Sequence, residues 1–275
     1  MVDRATGRLA VNDLFDLTGR VAIVTGGSRG LGRSISTGLA QAGANVVIAS
    51  RKLENCQRAA MEIERETGRQ ALAVHFHAGH WDDSERLVAR VVEEFGVIDV
   101  LVNNAGMSPT YDSLPAVSEE LYDKTLAVNL KGPFRLSVLV AERMMRDRGG
   151  SIVNISSIGS MGGGGSARVR SDRGEHSGGG ALPYACAKAG LNVLTVGLAQ
   201  CYAPSVRVNA VLAGSFWTDA SKQWKEGLVD PDAIPLGRVA DPSEMVGTVL
   251  YLASAASSFT TGAMVRVDGG VAARL

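Results

Sequence analysis

Short runs of apolar residues alternate along the chain with longer segments in which apolar and polar residues recur at helical spacing. Unbroken Val- and Ile-rich runs are typical of strands that are buried on both faces of a parallel sheet. The segments between them have the length of crossover helices. The pattern predicts strands at 20–26, 45–50, 71–76, 97–106, 150–157, 206–214 and 263–270, and helices that include 30–43, 53–67, 82–95 and 118–147.

This alternation predicts an α/β fold, a single doubly wound Rossmann domain over residues 15–275 with a mostly parallel seven-stranded sheet. A chain of 275 residues is near the upper limit for one hydrophobic core. Residues 1–14 are expected to form an irregular N-terminal extension. Sheets of this kind bind ligands beyond the carboxyl ends of their strands, so the functional residues are sought there.

Composition narrows the choice of partners. The chain has 28 basic and 28 acidic residues and no long block of like charge, which argues against nucleic acid and anionic membranes. No apolar stretch reaches the ~20 residues of a membrane span, and the N-terminal segment lacks the apolar run of a signal peptide. Three cysteines without a CxxC pair are typical of a reducing compartment. We therefore expect a cytoplasmic protein with a small-molecule partner.

The segment TGGSRGLG, residues 25–32, directly follows the first predicted strand. Its glycines allow a tight turn and let a pyrophosphate rest on the first amides and positive dipole end of the next helix. The position between strand and helix favours nucleotide binding over an ordinary glycine-rich turn. The predicted cofactor-binding residues of this segment are Thr25, Gly26, Ser28, Arg29, Gly30, Leu31 and Gly32.

Further motifs follow in a fixed order: NNAG at 103–106, Asn129, NISS at 154–157, YACAK at 184–188 and VDGG at 267–270. Together with the G-x-x-x-G-x-G turn, they resemble the classical short-chain dehydrogenase/reductase family, and in particular its 3-oxoacyl reductases. The resemblance extends from about residue 16 to the end of the chain. It implies an oxidoreductase with a nicotinamide cofactor. It also implies a homodimer or homotetramer, with helix 189–199 and the VDGG region as contacts.

Tyr184 and Lys188 are four residues apart and share a face if the segment is helical. A free phenol, with a pKa of about 10, is a poor acid or base near neutrality, and a nearby ammonium favours the phenolate. The resemblance implies that Tyr184 exchanges a proton with the substrate oxygen and that Lys188 also holds the nicotinamide ribose. It further implies that Ser157 orients the substrate carbonyl and that Asn129 holds a proton-relay water.

The second predicted strand ends in Ser50 and Arg51, where an acidic residue is usual for NAD. A hydroxyl and a guanidinium favour the 2′-phosphate of NADP(H), with Arg29 assisting, so NADP(H) is the preferred cofactor and NAD(H) is possible. The alternative is that both arginines are ordinary surface residues. By resemblance, the remaining cofactor contacts are His77, Ala78, Asn104, Ala105, Gly106, Tyr184, Lys188, Gly214 and Thr218.

His77 departs from the family pattern, which has an aspartate at this position. His75, His77 and His80 invite a metal interpretation, but packing against the nucleotide explains the position better, so no metal is expected. Phe216, Trp217 and Trp224 either line an apolar substrate pocket or only pack together, and the sequence leaves both open.

The serine and the tyrosine lie farther apart than is usual in the family. Residues 166–179 account for the difference as a glycine-flanked insertion, which we expect to be a mobile loop. The predicted function is NADP(H)-dependent hydride transfer on a ketone/secondary-alcohol pair. The alternatives are an NAD-dependent alcohol or hydroxysteroid-type dehydrogenase, a nucleotide-sensing scaffold and a Rossmann-like methyltransferase.

Overall fold

The computed structural model describes residues 10–109, 111, 113–162, 181–218 and 231–272. Within these ranges one seven-stranded sheet has the order β3-β2-β1-β4-β5-β6-β7, and each neighbouring pair is parallel. The doubly wound α/β fold is confirmed. The strands are β1 Val21–Thr25, β2 Asn45–Ser50, β3 Ala71–His75, β4 Val100–Asn103, β5 Gly150–Ser157, β6 Val206–Ala213 and β7 Met264–Val267.

Helices connect the strands and cover both faces of the sheet. They are α1 Val11–Leu14, α2 Gly30–Gln41, α3 Leu53–Thr67, α4 Trp81–Phe95, α5 Glu119–Leu126, α6 Gly132–Arg146, α7 Leu182–Tyr202 and α8 Val246–Ala253. Part of the predicted N-terminal extension is thus the single turn α1. The predicted insertion at 166–179 lies outside the described residues, and so does Trp224.

The sheet separates two hydrophobic clusters. Strand residues alternate between them, so that Ala22 and Val24 lie in one cluster while Val21 and Ile23 lie in the other. Helices α2, α3 and α8 contribute to the first cluster, and α4, α6 and α7 contribute to the second. Burial on both faces explains why the strands have continuous apolar runs in the sequence.

The prediction of one uninterrupted α-helix over 118–147 is wrong in its middle. A π-helical turn, Ala127–Lys131, separates α5 from α6. Pro133 provides the physical reason, because it has no N–H to donate to the carbonyl of Asn129 and its ring crowds that carbonyl. Such π-turns inside helices are frequent at functional sites, and this one contains Asn129.

Among the helices that the structure describes, none is both long enough and apolar enough to cross a bilayer.

Candidate active site

The glycine turn after β1 has no room for side chains. Gly26 has φ +67°, and a Cβ placed on Gly32 would lie 2.2 Å from the carbonyl oxygen of Gly26 and 2.5 Å from Asn104 Nδ2. The backbone of the turn therefore lies directly against the loop after β4, and α2 begins at Gly30. This cradle fits a dinucleotide pyrophosphate, which needs close approach to main-chain amides at a helix N-terminus.

Two predicted cofactor residues hold this cradle together. The buried Thr25 hydroxyl accepts hydrogen bonds from the amides of Asn104 and Ala105, both at 3.0 Å. The side-chain amide of Asn104 donates to the carbonyl of Thr25 at 2.8 Å. These side chains thus fix the loop after β1 to the loop after β4 through contacts within the protein. Leu31, also predicted to contact the cofactor, packs against the hydrophobic core.

The predicted ribose-phosphate end lies beside the carboxyl end of β2. Ser28 Oγ donates to Ser50 Oγ at 3.1 Å, which joins the glycine turn to this strand end. An adjoining cavity of about 300 Å³ is lined by Ser28, Arg29, Asn55, Arg58, Ala59 and Glu62. Arg51, the exposed residue after Ser50, does not line this cavity. Sequence reasoning missed Asn55 and Arg58, which lie three residues apart on α3 and therefore on one face of it.

His77 follows β3 as predicted, but its ring is held by the protein. The amide of Gly79 donates to His77 Nδ1 at 3.1 Å, and the ring stacks on His80 with centroids 3.9 Å apart. Burial, followed by the charges of His80 and Arg51, lowers the pKa of His77. Because Nδ1 accepts this hydrogen bond, the neutral imidazole carries its proton on Nε2 and offers a donor there, whereas the aspartate usual in the family offers an acceptor. The described residues contain no group of three potential ligands able to hold a metal ion.

The predicted catalytic residues converge at the carboxyl edge of the sheet. Ser157 ends β5, while Tyr184 and Lys188 lie in the first half of α7. Lys188 is 3% exposed, and its Nζ donates to the carbonyl of Ile155 at 2.7 Å. The same Nζ lies 5.6 Å from the centre of the Tyr184 ring. The shared helix face expected from the spacing is therefore present.

Burial dominates the acid–base properties of the site. It raises the pKa of Tyr184, whereas a hydrogen bond with Ser157 acts in the opposite direction. Burial also lowers the pKa of Lys188 to about 8. Loss of hydration is therefore the largest influence on the phenol of Tyr184, and it holds the pKa above its ordinary value.

Asn129 is fully buried in the π-helical turn. Its Nδ2 donates to the carbonyls of Met107 and Thr125, both at 2.8 Å, and its Oδ1 accepts from the amide of Met107 at 3.2 Å. Both amide hydrogens are used, so the side chain of Asn129 can hold a water only through the remaining lone pair of Oδ1. Gly106 adjoins this point, because a Cβ placed there would lie 3.0 Å from Asn129 Oδ1 and 3.7 Å from Lys188 Nζ.

Three other predicted cofactor residues are small and tightly placed. A Cβ on Gly214 would lie 2.6 Å from Asp268 Cα, and a Cβ on Gly30 would lie 3.3 Å from Thr218 Cβ. Thr218 therefore lies against the glycine turn. The carbonyl oxygen of Ala78 approaches α6 so closely that Gly132 has no space for a side chain.

A chain of buried polar side chains below the site escaped sequence reasoning. Asn103 Nδ2 donates to Ser137 Oγ at 2.8 Å and to Asn154 Oδ1 at 2.9 Å. Asn154 Nδ2 in turn donates to Thr195 Oγ1 at 2.9 Å. This chain joins β4 and β5 to α6 and α7. The signal was one asparagine within each of two adjacent apolar strands.

The aromatic residues after β6 differ in their surroundings. Phe216 is 4% exposed and belongs to the hydrophobic core, whereas Trp217 is 57% exposed. Phe216 therefore has a packing role. The side chain of Trp217 is accessible to a ligand.

The lowered pKa of Lys188 predicts a pH-dependent stability. Between pH 8 and the ordinary lysine value of 10.5, the unfolded chain binds more protons than the folded one, so stability rises with pH. Lys188→Met removes this contribution, and its stability advantage over the parent protein should shrink by about 2 kcal/mol between about pH 7.5 and 9.5. Urea unfolding measures the difference. Lys52→Met, at an exposed lysine, is the control, and a constant advantage for Lys188→Met would contradict the prediction.

Comparison with known proteins decides the family. The family model described as enoyl-(acyl carrier protein) reductase matches residues 26–272. An L-rhamnose 1-dehydrogenase (NAD(P)(+)) of Azotobacter vinelandii is 38% identical over 93% of this chain and 97% of its own length. The chain belongs to the classical short-chain dehydrogenase/reductase family. It is therefore an oxidoreductase of that family, as the motifs indicated.

Two further proteins place it within the short-chain dehydrogenases/reductases. A 3-oxoacyl-(acyl-carrier-protein) reductase of Chlamydia trachomatis is 36% identical and covers 93% of this chain and 98% of its own. The solved structure of a gluconate 5-dehydrogenase from Burkholderia cenocepacia, in complex with NADP and tartrate, is 30% identical with a TM-score of 0.83. The alignment covers 97% of this chain and all of that one. The names of these three relatives refer to substrates of different chemical classes.

Proposed function

We propose that this enzyme transfers a hydride between NADP(H) and a ketone/secondary-alcohol pair, with Tyr184 as general acid/base. The observation that carries the proposal is the convergence of Ser157, Tyr184 and Lys188 at the edge of the sheet that also carries the glycine cradle. A nucleotide-sensing scaffold has no need of this set of groups. A methyltransferase gives no account of a lysine buried beside a tyrosine.

Each protein group has a separate task in this proposal. The bound nicotinamide supplies or accepts the hydride. Ser157 donates a hydrogen bond that orients the substrate oxygen, and Tyr184 gives that oxygen a proton during reduction or takes it during oxidation. Lys188, anchored on the carbonyl of Ile155, provides a positive charge beside the phenol and reaches toward the nicotinamide ribose. Asn129 fixes the loop after β4 and presents Oδ1 to a relay water.

The raised pKa of Tyr184 places a requirement on the cofactor. Burial disfavours the charged phenolate, and the positive charge of the oxidised nicotinamide would favour it. In the reducing direction, the raised pKa keeps the proton on the phenol until the substrate oxygen takes it.

The preference for NADP(H) rests on the basic groups near Ser50. The hydroxyls of Ser28 and Ser50 meet at the carboxyl end of β2, where a carboxylate would repel a 2′-phosphate. The adjoining cavity holds two arginines against one carboxylate, that of Glu62. The named relatives include one that uses NAD(P)(+) and one solved with NADP. NAD(H) remains the alternative cofactor.

Arg51→Asp tests the cofactor assignment. The parent enzyme is expected to prefer NADPH, and the variant should lose at least about tenfold in kcat/KM for NADPH relative to NADH, because a carboxylate repels the phosphate. Absorbance of the reduced nicotinamide is followed with a 3-oxoacyl thioester, a keto-sugar acid and a small neutral ketone as substrates. Arg65→Asp, at an exposed position on α3, is the control. A parent enzyme that prefers NADH would show the assignment to be wrong.

We also propose a cytoplasmic homo-oligomer, a dimer or tetramer. The free cysteines are consistent with a reducing compartment. A groove of about 760 Å³ between α5, α6 and α7 is lined in part by the exposed Phe134, and Val193 of α7 is also exposed. A second copy of the chain would cover these apolar side chains. Light scattering measures the mass in solution and separates monomer, dimer and tetramer.

A further inference from the structure

The cavity beside the proposed 2′-phosphate site has an unexpected composition. Its lining combines two guanidinium groups, those of Arg29 and Arg58, with the carboxylate of Glu62. Asn55, Arg58 and Glu62 follow one another at spacings of three and four on α3, so they share one face of that helix. The glycine turn supplies the opposite wall through Ser28 and Arg29.

The carboxylate of Glu62 is held by an ion pair with a residue outside the cavity. Arg33 of α2 forms an ion pair with Glu62, with Nη2 3.0 Å from Oε2, and also donates to Thr37 Oγ1 at 2.9 Å. The Arg33 side chain is the better buried partner of the pair. Arg33 itself does not line the cavity. Glu62 is therefore turned to a cation of α2, while Arg58, one helical turn away, is left for a ligand.

We propose that Arg58, together with Arg29, binds the 2′-phosphate of the cofactor, and that the Arg33–Glu62 pair sets how strongly it does so. This inference rests on the proposed function. A guanidinium presents a planar set of donors that matches phosphate oxygens, and a cavity with two of them suits a dianionic group. A carboxylate in the same cavity weakens anion binding unless a cation neutralises it, which is the task of Arg33.

On this proposal the cavity would also tolerate a cofactor that lacks the 2′-phosphate. Glu62 reduces the excess positive charge that would otherwise make the pocket depend on a phosphate. Discrimination between NADP(H) and NAD(H) is then governed by the balance of Arg58 and Glu62 in addition to Arg51.

Equilibrium binding of two probes separates this role from turnover. Adenosine 2′,5′-bisphosphate carries the 2′-phosphate and adenosine 5′-monophosphate lacks it, and calorimetry gives the affinity of each for the full-length protein. Arg58→Ala is expected to weaken the bisphosphate about tenfold or more and to leave the monophosphate within about twofold. Arg65→Ala removes the same charge two turns farther along the same face of α3 and should change neither affinity appreciably.

Variants of the ion pair test the second half of the proposal. Glu62→Gln should strengthen binding of the bisphosphate severalfold. Arg33→Ala should weaken it, because Glu62 is then free to pair with Arg58. Adding Glu62→Gln to Arg33→Ala should restore the affinity, whereas damage to folding alone would not be repaired in this way.

The outcomes are distinguishable. A parent protein that binds neither probe would overturn the proposed cofactor site and this inference together. Discrimination by the parent protein with Arg58→Ala equal to Arg65→Ala would overturn the role of Arg58 and leave the proposed function in place. Equal affinities of Arg33→Ala with and without Glu62→Gln would overturn the role of the ion pair.

Discussion

Tyr184→Phe is expected to lower kcat by at least about 10²-fold while the affinity for NADPH stays within about twofold of the parent value. The substitution keeps the ring beside Lys188 and removes only the hydroxyl that is proposed to exchange the proton. Ser157 stays at the end of β5. The loss should therefore appear in the chemical step.

Single-turnover kinetics and NADPH fluorescence titration measure the two quantities separately. Tyr202→Phe is the matched control, because Tyr202 lies on the same helix and its hydroxyl donates to Glu142 Oε1 at the surface, at 3.3 Å. Retention of most of the turnover in Tyr184→Phe would exclude this residue as the essential acid or base.

Gly32→Ala is expected to have the second large effect. Its methyl group would meet the carbonyl oxygen of Gly26 at 2.2 Å and Asn104 Nδ2 at 2.5 Å, and neither atom belongs to a long flexible side chain. Relief of this overlap must widen the cradle, at a cost of about 1–3 kcal/mol in stability. NADPH affinity should fall by at least about tenfold, because the pyrophosphate loses its close approach to the backbone.

Thermal unfolding and NADPH titration provide the measurements. A loss of this size corresponds to a melting temperature lower by about 2–10 °C for a domain of this length. Gly247→Ala on α8 is the control, because a Cβ at Gly247 meets nothing within 4 Å and alanine is the better helix former. Unchanged affinity and stability in Gly32→Ala would contradict the tight cradle.

Periodicity predicted the fold well because strands buried on both faces leave an unmistakable apolar signature. The seven strands and the helices that include 30–43, 53–67 and 82–95 followed from it. The helical state of the Tyr184–Lys188 segment was a condition of the spacing argument, and α7 meets it. The break at Ala127–Lys131 did not, because the apolar pattern passes through it and only Pro133 hints at the lost hydrogen bond. The π-helical turn depends on the missing backbone N–H of a single residue, which has no effect on the pattern of apolar positions.

The sequence identified many residues of the candidate site, but it did not reveal the contacts that they make. Order and spacing singled out Thr25 and Asn104, but only the structure reveals that their side chains join two loops. Arg51 was prominent because it ends a strand, whereas Arg58 was hidden in a polar helix and emerges only when α3 is set against the glycine turn. Tertiary contacts between distant segments leave no mark in a single sequence.

The asparagines inside β4 and β5 bear on how the sheet acquires its alignment. Asn103 and Asn154 are direct neighbours in the pairing of the two strands, and their side chains are joined at 2.9 Å. An apolar strand covered on both faces can slide by one residue at little hydrophobic cost, because either set of side chains enters an oily layer. A register shift here would leave the two side-chain amides buried without hydrogen-bond partners, which costs free energy of folding. The hydrogen bond between these two asparagines therefore favours one register of β4 against β5. Because Ser157 lies three residues after Asn154 on the same strand, this register also determines the position of Ser157 in the candidate site.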